Sequence, residues 1–121
     1  MVNKTIIEGR LMKEVAFRTL PSGRQVARLV LVHTRKYQNK KNEWKEELSF
    51  FEIDVYSPAL IERVKRLGKG DRIIVEGQLK QDKWTSDDSK SHSKIRVKAS
   101  RIQLISKPKS ASIKKQSLAH S

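Results

Sequence analysis

The sequence contains no cysteine, which excludes disulfides, thiolate chemistry and cysteine-ligated metal sites. No apolar run approaches the ~20 residues that a transmembrane helix requires, and no basic amphipathic stretch suits a membrane surface. The opening "MVNKTIIEGRL" lacks the apolar core of a signal peptide and passes straight into a strand-like pattern. Glycine is scarce and scattered, five in 121 residues, so no phosphate-cradling loop is present. His33, His92 and His120 lie far apart, and none has a ligand at metal spacing. His33 is expected at a strand end and the other two in polar loop and tail, all solvated. Asp87 and Asp88 are immediate neighbours, which do not converge on one substrate, and they read as loop solubility. These absences argue against an enzyme, a metal centre, a cofactor and a membrane protein.

Acidic residues are also few. Against 27 Lys and Arg there are 13 Asp and Glu, giving a net charge of +14 and a pI near 10.3. Such an excess points to a polyanionic partner. The length predicts one domain that buries roughly two-thirds of its unfolded surface, enough for one core.

What is present is mostly strand. "NKTIIEGRLM" is β-rich, with Gly9 predicting a bulge or sharp bend. The turn "LPSG" separates it and a short extension from "QVARLVLVHT", where Ala27, Leu29 and Leu31 share one face. "RKYQNKKNEWKEE" reads as a solvated loop. In "LSFFEIDVY", Phe51, Ile53 and Val55 form the apolar face. The opposite face carries Phe50, Glu52, Asp54 and Tyr56, and its carboxylates mark it as wet. "SPALIERVKRLG" predicts a helix, with Ser57 as N-cap, Pro58 at the first position and Gly68 closing it in a left-handed turn. "DRIIVEGQL" returns to strand, with Gly77 at a close approach or bend. "DKWTSDDSKSHS" reads as a second polar loop and "KIRVKASRIQLI" as the last strand.

The order β–β–β–α–β–β predicts an all-β protein. It is that of the OB-fold, a five-stranded Greek-key barrel with one helix between strands 3 and 4, which binds oligonucleotides on one face. The expected domain covers residues 1–106. Residues 107–121 form a basic tail too poor in apolar surface to fold.

Four rings fall outside the expected core: Tyr37, Phe50, Tyr56 and Trp84, with Trp84 placed just past the end of strand four. Most have a basic neighbour within two or three positions. Every base has a π-face, so bare rings hold unpaired bases of any sequence, while cations answer the phosphates. Trp44, among Glu43, Glu46 and Glu47, is expected to pack within its loop rather than stack. Glu52 and Asp54 sit awkwardly on this face, and pairing with basic side chains is one way to accommodate them.

These residues resemble the bacterial single-stranded DNA-binding protein family from about Asn3 to Ile105. The likeness rests on "VNKTIIEGRL", "PSGRQVARLVL", "NEWKEELSFFEIDVY" and "GKGDRIIVEGQLKQDKW". It implies stacking on Tyr37, Phe50, Tyr56 and Trp84, and phosphate contacts at Lys40, Lys69, Lys80 and Lys83. It further implies single-stranded DNA as partner, a homotetramer, no cofactor, and a cytoplasmic, nucleoid-associated place in replication, repair and recombination. Family members usually end in an acidic tail that recruits other proteins. The basic "SKPKSASIKKQSLAHS" departs from that pattern, which puts such recruitment in doubt. A primosomal single-strand binder of the same family and an RNA-binding OB module are the alternatives.

Overall fold

A computed structural model describes residues 1–108. The elements are β1 (Thr5–Leu11), β2 (Ala16–Thr19), β3 (Gln25–Gln38), β4 (Trp44–Val55), α1 (Pro58–Val64), β5 (Arg72–Thr85) and β6 (Ser91–Ser106). The sheet runs β1-β5-β6-β4-β3, and β1 closes it onto β3 through Arg10↔Val32 and Leu11↔Leu31. The result is the five-stranded OB-type barrel expected, with its helix between β4 and β5. The short β2 adds to the edge of β3. One pairing is parallel: β4 meets β6 at Ile53↔Val97 and Asp54↔Lys98.

Alternation along the strands builds the interior. Leu29 and Leu31, Ile53 and Val55, Ile73 and Val75, and Val97 point inward and are buried with Ile102. Helix α1 contributes Ile61 and Val64, one turn apart on its inner side, while Leu60 and Leu67 pack at the margin. The helix is shorter than the apolar spacing implied. It stops at Val64, and Leu67 continues in a turn whose N–H donates to the Val64 carbonyl at 3.1 Å. Ser57 occupies the N-cap position with extended backbone but makes no side-chain capping bond. The left-handed residue is Gly70 (φ 89°) rather than Gly68. The Asp71 carboxylate accepts the Gly68 N–H at 2.8 Å, and the Gly68 carbonyl accepts the Asp71 N–H at 3.1 Å. That turn places the reversal two residues later than the helix pattern suggests.

Both long polar segments are hairpins rather than loops. β3 continues to Gln38 and β4 begins at Trp44, leaving a tight turn in which Asn39 Oδ1 accepts N–H bonds from Lys41 and Glu43 at 2.9 and 3.0 Å. These arms project from the barrel with both faces open to solvent, so no buried hydrophobic alternation marks them. Register instead sets opposite charges across the strands, Arg35↔Glu47 and Lys36↔Glu46. The second hairpin joins β5 to β6 through Ser86–Lys90, and Trp84 lies within β5, directly opposite His92. Gly9 marks no bulge. It stays in register with Ile73, and an added Cβ would lie 2.6 Å from the Val32 carbonyl oxygen, so glycine lets β1 and β3 approach where the barrel closes.

Candidate nucleic-acid interface

Strand alternation assembles one continuous outer surface. β4 contributes Phe50, Glu52 and Asp54, and Tyr56 follows it. β5 contributes Lys80, Asp82 and Trp84, paired with Arg96, Lys94 and His92 of β6. Lys98 of β6 lies beside Asp54. On this surface Phe50 is 56% exposed and Trp84 46% exposed. Trp84 stacks on His92 with ring centroids 5.6 Å apart and planes 17° from parallel. Tyr56 is half-buried, with Lys80 Nζ at 5.2 Å and Lys98 Nζ at 5.6 Å from its ring centroid. A phosphate beside a base on Tyr56 would meet both ammonium groups.

The carboxylates that made this face awkward are occupied. Asp54 is not in water at all. It is 2% exposed, and Arg28 donates to it from Nε at 2.8 Å. Glu52 accepts from Lys94 and, at 2.8 Å, from Arg96 Nε. Arg96 also donates from Nη1 to Asp82 at 2.6 Å. Donation from Lys94, then from Arg96, holds the Glu52 carboxyl down at about 2, against an ordinary 4.5, while partial burial opposes the shift. The Arg96 hydrogen bond lowers Asp82 in the same way. Each acid on this face is thus tied to a cation: Asp54 to Arg28, Glu52 to Lys94 and Arg96, and Asp82 to Arg96 and Lys80.

A carboxylate whose pKa is depressed by folding adds stability above its unfolded value, and that stability is lost as pH falls through the folded value. Glu52 therefore stabilises the barrel fully above about pH 4.5 and progressively less toward pH 2. Exchanging it for glutamine should cost about 1 kcal/mol at neutral pH, because the network is half solvated. The difference between wild type and Glu52→Gln should shrink between pH 4.5 and 2, as thermal melts across that range will report.

The other expected site residues are spread more widely. Tyr37 is 37% exposed near the tip of the first hairpin, with the Arg35 guanidinium 5.2 Å from its ring centroid. It pairs with Lys45, on the ribbon face opposite that of Phe50. Lys40 lies exposed in the turn of that hairpin. Lys83 pairs with Ser93, on the opposite side of its hairpin from Trp84. Lys69 is exposed beyond α1, where its N–H donates to Glu14. Roughly 40 Å of β5 separates that end of the barrel from Trp84.

Three expectations change. Trp44 does not pack within a loop: it is 72% exposed on β4, because the segment that was to cover it is itself a two-stranded ribbon. His33 lies inside β3, half-buried, and its Nδ1 donates to the Glu8 carbonyl at 2.8 Å. His92 belongs to β6 and supports Trp84. His120 lies outside the described residues. The cations missed by sequence reasoning are Lys94, Arg96 and Lys98. Their signal was the alternation in "KIRVK", a basic stripe on one face of the last strand.

A closed Greek-key barrel with a short helix between its third and fourth barrel strands defines an OB-type domain. Residues 2–105 match the Single-strand binding protein family. The chain is 37% identical over 113 residues to the single-stranded DNA-binding protein of Aquifex aeolicus, covering 93% of this chain and 76% of that one. It is 30% identical to the protein of the same name from Wolinella succinogenes, covering 87% of this chain and 65% of its relative. Among solved structures it is similar to Plasmodium falciparum SSB in complex with ssDNA. That likeness has a TM-score of 0.80 and 25% identity, covering 88% of this chain and 97% of that one. The chain belongs to the single-strand binding protein family.

Among the described residues no group of His, Asp or Glu is arranged to hold a metal ion, and no helix is long and apolar enough to cross a membrane.

Proposed function

We propose that the protein binds single-stranded DNA without sequence preference, protecting exposed strands and keeping them open in replication, repair and recombination. The observation that carries this reading is the outer surface of Phe50, Tyr56 and Trp84. Exposed rings and the ammonium groups of Lys80 and Lys98 share it, and its carboxylates are already paired, Asp82 with both Arg96 and Lys80. Duplex DNA hides its base faces in the stack, so rings select unpaired strands. Tyr37 extends the set on the first hairpin, and Lys40, Lys69, Lys80 and Lys83 neutralise phosphates along a wrapped strand. A wrapped path accounts for the scatter of those lysines over distant parts of the barrel. The same reading includes a homotetramer working in the cytoplasm on nucleoid DNA, with replication and repair proteins as further partners.

The experiment is titration with oligo-dT. Trp84→Ala should weaken binding by about 1–3 kcal/mol, the value of one base–ring stack, while circular dichroism shows an intact barrel. Unchanged affinity would remove Trp84 from the site. Parallel titration with a U oligomer of equal length tests the choice of DNA over RNA, and a clear preference for U would favour an RNA-binding module.

A further inference from the structure

Trp44 has no role in the site described so far, and it is the most exposed ring of the fold. On β4 the residues at positions 44, 46, 48 and 50 share one face, with Glu46 on it opposite Lys36. That face carries Trp44, Leu48 and Phe50, at 72%, 50% and 56% exposure. Trp44 stands opposite Gln38 and diagonal to Lys36, in a shallow groove lined by Lys36, Trp44, Lys45 and Glu46. The ribbon here bears five cations (Arg35, Lys36, Lys40, Lys41, Lys45) against three carboxylates. Lys36, Lys40 and Lys41 form no ion pair among the described residues. A large flat ring beside free ammonium groups suits an anionic partner with apolar flat parts. The groove also continues the face on which Phe50 lies, about 20 Å of strand away.

We infer that Trp44 is a further base-stacking platform, extending the single-strand track from Phe50 out along the first hairpin with Lys36 beside it for phosphate. This inference rests on the single-strand-binding reading and adds a contact to it. A bound strand on this track lies along the projecting ribbon rather than only over the barrel, so Trp44 engages oligomers long enough to reach past Phe50.

The chain has two tryptophans, Trp44 and Trp84, so each can be made the sole reporter. Trp84→Phe retains a ring and leaves Trp44 emitting, and Trp44→Phe leaves Trp84. Each is titrated with an oligo-dT longer than the ~4–16 nucleotides that one OB domain covers. The expected result is saturable quenching of Trp44 in the first variant. Trp44→Ala should then weaken binding of the long oligomer roughly 5- to 150-fold, with the barrel intact. If Trp84 is quenched, Trp44 is silent and Trp44→Ala binds like wild type, this inference is overturned and the single-strand reading stands. If Trp44 emission changes with protein concentration alone and not with DNA, the ring is a contact between copies, and the inference fails in that direction. If neither tryptophan responds and no binding is seen, the single-strand reading fails with it.

Discussion

Replacing Gly77 by alanine is expected to lower the stability of the barrel by about 3 kcal/mol or more. Gly77 lies in β5 at a register shift where two strands cross closely. A Cβ built there would sit 2.1 Å from the Lys98 carbonyl oxygen and 2.9 Å from its carbon. Both atoms belong to the backbone of β6, which is held on one side by β5 and on the other by β4. No side chain can swing away to make room, so the strands must separate. Separation pulls Val97 and Ala99 from the core and displaces Lys98 from Tyr56. For a domain of this size the thermal midpoint should fall by at least about 12 °C. A shift of only a degree or two would mean that β5 and β6 do not meet as described.

The second large effect is that of salt. Counterions condensed on DNA are released when cations neutralise phosphates, and for single strands log K falls by about 0.7 per phosphate for each tenfold rise in salt. If Lys40, Lys69, Lys80 and Lys83 each neutralise one, a tenfold increase should weaken binding about 600-fold. Lys80→Ala should flatten the slope by about 0.7, with little effect on tryptophan quenching at low salt. A slope near zero in the wild type would remove phosphate neutralisation from the account.

The barrel was legible because its core strands alternate and its helix repeats. Leu29 and Leu31, or Ile53 and Val55, announce a buried face without reference to partners. The hairpin arms were not legible. "RKYQ" and "WKEE" bury neither face, and their pairing depends on charges brought together only by register, Lys36 against Glu46. A reader of the chain sees the polarity and infers a loop. The same cause hid Trp44: acidic neighbours in sequence suggested a packed loop, whereas alternation along a strand carries its ring to an open face. Asp54 misled differently. Its carboxylate reads as wet, but Arg28 lies directly opposite across β3 and β4, and an ion pair between strands cannot be seen along one strand. The rings of Phe50 and Trp84 were read as exposed from alternation and polar neighbours, and the structure leaves both open.

The most direct measurement compares a dT oligomer with a duplex of equal length at low and at raised salt. Phosphate attraction weakens for both as salt rises, whereas stacking on Phe50, Tyr56 and Trp84 is open only to unpaired bases. The preference for the dT oligomer should therefore persist and widen as salt is added. Equal affinity for the two at raised salt would show that charge alone binds DNA, and that the bare rings take no part.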